Sequence, residues 1–209
     1  MWGYGGLIQW VERATPMSEM FAAWQRRTRA AAQLPPPGAP PSWQPAAAPP
    51  AAAMRPLDLF YRRVSAALRD AGVSSTAPRR QWPTRVLRDT VSGLSAEVPR
   101  DLLQRELWCS SPGSAAWLAK VGRHARSVAT ASVLGHLLGL GDRHLDNILV
   151  DFESGEVVHI DYNIAFDRGL TLGVPELVPF RLTPVMVAVG PGAHCSPRHP
   201  TYVRHSPLE

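Results

Sequence analysis

The sequence predicts an α+β fold, mostly helical, with one short β-hairpin late in the chain. Apolar residues at helical spacing predict the helices, beginning with Leu57, Phe60, Tyr61, Val64 and Leu68. Two short alternating runs, 147–152 and 156–161, predict the hairpin, because Glu153-Ser154-Gly155 between them is a turn signature. The third observation is chemical. A polar loop reading GLGDRHLDN (139–147) holds Asp142, His144 and Asn147 at close spacing, and the hairpin's second run returns Asp161 beside it.

An Asp, an Asn five residues on and a second Asp after a hairpin is the layout that phosphoryl transfer needs. One carboxylate handles the proton of the nucleophile, while an amide oxygen and a second carboxylate hold metal ions that bridge the phosphates. Either Asp alone would be read as a turn former. The full constellation favours the chemical reading.

Bulk properties narrow the classes. A chain of 209 residues suffices for one domain with a real core. Hydrophobic residues make up 45% and charged residues 19%, so most of the chain can be globular, whereas 21 prolines and long Ala/Pro runs mark a part that is not. A net charge of +5 raises the question of nucleic acid. The positive charge is spread over scattered arginines, with no basic block interleaved with aromatics, so no direct nucleic-acid site is expected. Cys109 and Cys195 form neither a disulfide framework nor a metal spacing, which suits a reduced intracellular compartment. No apolar run reaches membrane-spanning length, and the first residues lack the pattern of a signal peptide.

Taken in order, 6–11 is a short apolar, aromatic run, either an edge strand or a connector. The GYGG before it follows no strand and lacks a phosphate-loop pattern, so it reads as a lead-in. Thr15 as cap, Pro16 in the first turn and Glu19 beyond them start a helix whose apolar face carries Met20, Phe21 and Trp24. Residues 34–56 are dominated by Pro and Ala, have no period, and read as a disordered or polyproline-type loop containing Trp43. The helix from Leu57 stops at Gly72. Residues 82–94 and 102–108 read as two further helices. Ser114 caps a long helix running with little interruption to Leu140. Its second half (Val128, Val133, Leu134, Leu137, Leu138) is apolar on most sides and is expected to be the buried central helix. Residues 162–183 read as an extended loop, and 184–209 as a disordered tail with no trusted zinc spacing among its histidines. The expected organisation is therefore 1–33, a loop at 34–56, a main unit at 57–183, and the tail at 184–209.

GLGDRHLDN followed by GEVVHIDYN resembles the catalytic region of the phosphatidylinositol 3-kinase-related protein kinases. Within that family it is most similar to the branch that acts in nonsense-mediated mRNA decay. Most relatives carry Phe-Gly after the second Asp, where this chain has Tyr162-Asn163. The resemblance extends to LIQWV…ATP, to Arg80-Gln81-Trp82-Pro83, to Lys120…Arg126-Ser127 and to VPELVPFRLT (174–183), so it spans residues 6–183.

It implies a protein-kinase-like C-lobe that uses ATP with Mg2+ or Mn2+. Asp142 would orient or deprotonate the substrate hydroxyl, and His144 would stabilise charge at the transferring phosphoryl group. Asn147 and Asp161 would hold the metal ions. Trp10 would pack on adenine with the Val11 backbone bonding its edge, and Leu149 and Ile160 would form the pocket floor. An adenine does need an apolar slot with a hydrogen-bonding edge. His159 either braces the metal carboxylate or is structural. The activation segment would start at Asp161, Tyr162 and Asn163 and run through Arg168, Pro175, Glu176, Pro179 and Phe180.

The acceptor follows from charge. Residues 164–178 set one arginine, Arg168, against Asp167 and Glu176, which cannot cradle an inositol phosphate. A neutral Ser/Thr peptide fits better, and the resemblance implies a glutamine after the hydroxyl residue. It also implies an RNA-helicase decay factor as substrate, RNA-decay and kinase-complex proteins as partners, and a cytoplasmic location, with the nucleus as a second compartment. A kinase further needs an N-lobe with a glycine-rich loop and a phosphate-gripping lysine. The sole lysine is Lys120, far downstream of Trp10, so the expectation is a partial catalytic domain with the N-lobe absent and little activity as an isolated chain. The alternative expectation is a non-catalytic, pseudokinase-like interaction fragment that competes for the full kinase's partners.

Overall fold

A buried strand pair organises the molecule. In the computed structural model, which describes residues 10–35, 38, 40, 42, 44, 56–172, 176 and 178–190, the elements run in a simple order. Strand β1 (Ala14–Pro16) leads into helix α1 (Met17–Ala32), followed by α2 (Pro56–Asp70), α3 (Thr84–Glu97), α4 (Leu102–Cys109) and α5 (Ser114–Leu137). Then come β2 (Ile148–Asp151), β3 (Val157–His159) and a short helix α6 (Pro184–Val187), with 3-10 turns at Arg79–Gln81 and Arg168–Thr171.

The three strands form an antiparallel sheet with β2 in the middle. Leu149 faces Val158 on one side and Pro16 on the other. β2 is covered on both faces as well as paired on both edges, so its Ile-Leu-Val run is buried rather than alternating. The hairpin expected at 153–155 is present. Its turn is tightened by Asp151, whose Oδ1 accepts from the Glu153 amide at 2.7 Å, and Gly155 takes a φ of 87° that glycine supplies without strain. β1 was not foreseen. Thr15 and Pro16, read as helix cap and first turn, belong to the strand and its junction, and no side chain caps α1.

The main core joins Met17, Met20 and Phe21 of α1 to Leu102, Leu103 and Leu107 of α4, Val121 of α5, the two hairpin strands and Val185, Met186 and Val189. A smaller core lies between α2 and α3, where Val64, Leu68 and Trp82 pack together. Trp82 precedes α3 rather than opening it, and its indole donates to Ala77 O at 3.0 Å.

Two expectations are corrected. Residues 184–190 are not disordered: Thr183 caps α6, Pro184 takes its first turn, and Val185 and Met186 enter the main core. One turn of helix is too short for periodicity to register. Helix α5 is a single helix of 24 residues, opened by Gly113 rather than capped by Ser114. Its first half is buried through Lys120, Val121 and His124, but Val133, Leu134 and Leu137 are 51–72% exposed. Apolar content on all sides does not determine which end of a helix finds a partner. Trp43, most of the proline-rich run around it and the tail beyond residue 190 lie outside the described residues.

Candidate active site

The loop between α5 and β2 is pinned at both ends before any functional side chain is placed. Gly141 N donates to Ile164 O at 2.8 Å and Phe166 N to Leu138 O at 2.7 Å, so the chain after the hairpin runs back along the residues that lead into the loop. At the other end Ile160 N donates to Asn147 O at 3.1 Å, extending the β2–β3 ladder by one bond. That bond sets Asp161 beside Asn147. At the outer edge, Ser18 donates its amide to Leu145 O at 3.2 Å and its hydroxyl to Asp146, tying the start of α1 to the loop.

Arg143 holds the two halves together. It is 6% exposed, and its planar fork reaches three carbonyls: Gly141 O from Nε at 2.8 Å, Ile160 O from Nη1 at 2.6 Å, and Asp161 O from Nη2. Its guanidinium also lies 5.7 Å from the Tyr162 ring centre. Burial lowers its pKa, while Tyr162, Asp142, Asp161 and Glu176 act in the opposite direction. Arginine keeps its proton regardless. The result is one buried cation beneath Asp142 and Asp161, both exposed and both in the left-handed backbone region at φ 57° and 58°. Such conformations persist where the surroundings hold them, and they gather at functional sites. The sequence reading assigned Arg143 no role. Its one signal was its place between Asp142 and His144.

Asn147 is buried and donates Nδ2 to Asp142 O at 2.9 Å, which leaves its amide oxygen as the free acceptor. Asp161 is exposed and takes only the Asn163 amide on Oδ1, at 3.3 Å. One amide oxygen and one carboxylate suit Mg2+, which is commonly held through one or two protein oxygens together with substrate phosphates. Among the described residues no cluster of three or more acidic, His or Cys side chains could form an all-protein cage. The donor set therefore fits a metal that arrives on a nucleotide.

His144 is exposed. Its Nδ1 accepts the Asp146 amide at 3.2 Å and also lies 3.4 Å from Asp146 Oδ2. The two contacts demand opposite tautomers; the backbone bond, being the shorter, favours the proton on Nε2. His159 is held below the ordinary histidine pKa, first by burial and then by Arg143, and its Nδ1 has no hydrogen-bond partner. It does not brace Asp161 through that atom. Leu149 is buried and Ile160 half-buried, whereas Trp10 is 81% exposed. The described residues do not close an adenine slot over Trp10 and Val11. Pro175 lies outside them, and Pro179 and Phe180 are exposed. Lys120 grips no phosphate: it is buried, and its ammonium donates to Ser110 O at 2.8 Å, Ser110 Oγ at 3.0 Å and Phe152 O at 2.6 Å.

A helical lobe whose hairpin brings Asp161 and the loop of Asp142 onto one buried arginine has the architecture of a kinase-like C-lobe. Comparison with known proteins agrees. The family model for phosphatidylinositol 3- and 4-kinase matches residues 5–194. The serine/threonine-protein kinase Smg1 of Drosophila melanogaster is 43% identical over 182 residues, 87% of this chain and 5% of that protein. Serine/threonine-protein kinase SMG1 of Danio rerio is 45% identical over 178 residues, 85% of this chain and again 5% of the relative. Among solved structures, the FAT and kinase domain of CtTel1 superposes with a TM-score of 0.61 at 27% identity, covering 86% of this chain and 10% of that one. The chain belongs to the phosphatidylinositol 3- and 4-kinase family, and within it to the phosphatidylinositol 3-kinase-related protein kinases. It spans about a twentieth of the length of the Smg1 relatives.

Proposed function

We propose that this chain supplies the catalytic loop and metal-holding residues of an ATP-dependent serine/threonine protein kinase that acts in nonsense-mediated mRNA decay on an RNA-helicase decay factor. The observation that carries the reading is Arg143, which binds the loop of Asp142 and the backbone of Asp161 into one unit. Asp142 faces the substrate hydroxyl and takes or orients its proton. Asn147 Oδ1 and Asp161 hold the divalent ion that accompanies ATP, which supplies Lewis-acid stabilisation of the phosphates when bound. His144 offers a donor to the transferring group through Nε2. Likeness to the serine/threonine kinases at 40–45% identity over most of the chain supports the protein-kinase branch.

A peptide acceptor is favoured over an inositol lipid because the activation segment has no basic cradle. Arg168 is near a backbone carbonyl, Asn163 O, at 3.4 Å, and the Glu176 carboxylate is turned inward. The preferred peptide carries Ser or Thr followed by Gln, and RNA-decay and kinase-complex proteins are its proposed partners. The test is phosphate transfer from ATP with Mg2+ by the polypeptide that carries this chain, to a Ser-Gln peptide and to inositol-lipid vesicles. Transfer to the peptide is expected, and Asp142→Ala should lower it by about 10²–10⁴-fold while nucleotide binding remains. Turnover retained in that variant, or equal transfer to lipid, would overturn the proposal.

A further inference from the structure

Among the described residues, Glu176 is the side chain of the activation segment that hydrogen-bonds to the backbone of the catalytic loop. Both of its carboxylate oxygens lie 3.0 Å from the Asp142 amide, and its own amide donates to Gly169 O at 3.1 Å. Two glycines make room for it. A Cβ on Gly169 would stand 2.8 Å from Oε2, and one on Gly141 would meet the same oxygen closer still. A solvated surface carboxylate needs no such slot. The amide it receives belongs to a residue at φ 57°, a backbone that relaxes unless it is held, and a charged acceptor makes the stronger kind of hydrogen bond.

We infer that Glu176 is a positioning residue for Asp142. Docking of the activation segment seats the Glu176 carboxylate between Gly141 and Gly169, and this holds the Asp142 backbone, and so its side chain, in the pose that meets the acceptor hydroxyl. Order in the segment is thereby coupled to competence of the loop. This inference rests on the reading of Asp142 given above. It gives the spacing of the glycines a purpose, since an alanine at either would evict the carboxylate without changing any charge. Gly169 is the cleaner site for that change, because the three atoms nearest its added Cβ all belong to Glu176, whereas one at Gly141 would also stand 2.8 Å from Ile164 Cγ2.

The test uses Glu176→Ala, Glu176→Gln and Gly169→Ala, with two measurements. In the 209-residue chain, hydrogen exchange at the Asp142 amide should quicken about tenfold or more in Glu176→Ala and in Gly169→Ala. It should stay near the unmodified rate in Glu176→Gln, whose amide oxygen still accepts. In the phosphotransfer assay, the first two variants should lose kcat by up to about 10²-fold with KM for nucleotide nearly unchanged, and Glu176→Gln should recover most of it. An Asp142 amide that exchanges alike in the unmodified protein and Glu176→Ala overturns the inference, as does quickened exchange with kcat intact. A chain that transfers no phosphate at all overturns the functional reading instead, and the exchange measurement still decides whether Glu176 holds Asp142.

Discussion

At the scale of single residues, chemistry and placement separate. Asp142, Asn147 and Asp161 stand out in the sequence as candidates by type and spacing, a carboxylate suited to a proton and an amide and a carboxylate oxygen suited to a hard cation. Arg143 is recognisable only once its three carbonyl partners are known. Arg143→Met should cost about 3–5 kcal/mol of folding stability, since it strands buried carbonyls and removes the cation beneath two carboxylates. Chemical denaturation would measure this. Arg143→Lys should recover less than half of the loss, because an ammonium is a point charge and cannot span three acceptors held by a fork. Full recovery in the lysine variant would mean that charge alone, rather than the fork, is what the site uses.

At the scale of elements, the hairpin and α6 show opposite degrees of legibility. The hairpin announces itself by alternation and a glycine turn. Packing adds a second constraint on Gly155, where a Cβ would meet Lys120 O at 2.7 Å. The one turn of α6 carries no period, yet it closes the main core. Met186→Ala is predicted to lower stability by about 2–5 kcal/mol, the range for emptying a buried site of that size. Val187→Ala on the same turn should change it by no more than about 0.5 kcal/mol, because Val187 is 64% exposed. Equal effects from the two substitutions would contradict the burial of α6.

At the scale of the whole molecule, His124 bridges three elements. Its ring nitrogens lie 3.2 Å from Gly155 O at the hairpin turn and 3.3 Å from Met186 O of α6, and the residue itself sits on α5. A neutral ring donates through only one nitrogen, so one of these contacts is always the weaker. Burial pushes the His124 pKa below the ordinary 6.5, and the two carbonyls only partly offset that. The sign follows from linkage: the unfolded chain protonates first as pH falls, so His124 contributes stability that is present above pH 6.5 and lost as pH drops through its folded pKa. His159, lowered by burial and by Arg143, adds a slope of the same sign. Melting temperature is therefore predicted to fall between pH 7 and 5, and the fall should be smaller in His124→Gln than in the unmodified chain. A slope unchanged by that substitution would assign the acid sensitivity elsewhere.

The sequence by itself determined the fold class, the helices at 57–68 and 102–108, and the hairpin. These are properties of local spacing and of side-chain chemistry. Tertiary structure decided what depends on distant partners. It turned 14–16 into a third strand, buried the start of α5 while leaving Val133 and Leu137 in solvent, and drew 184–190 into the core. It also gave the Arg143 fork three carbonyls to bind and turned the Glu176 carboxylate onto the Asp142 amide. A buried cation or an inward carboxylate is stable only where specific carbonyls and amides await it, and those lie up to 34 residues away along the chain.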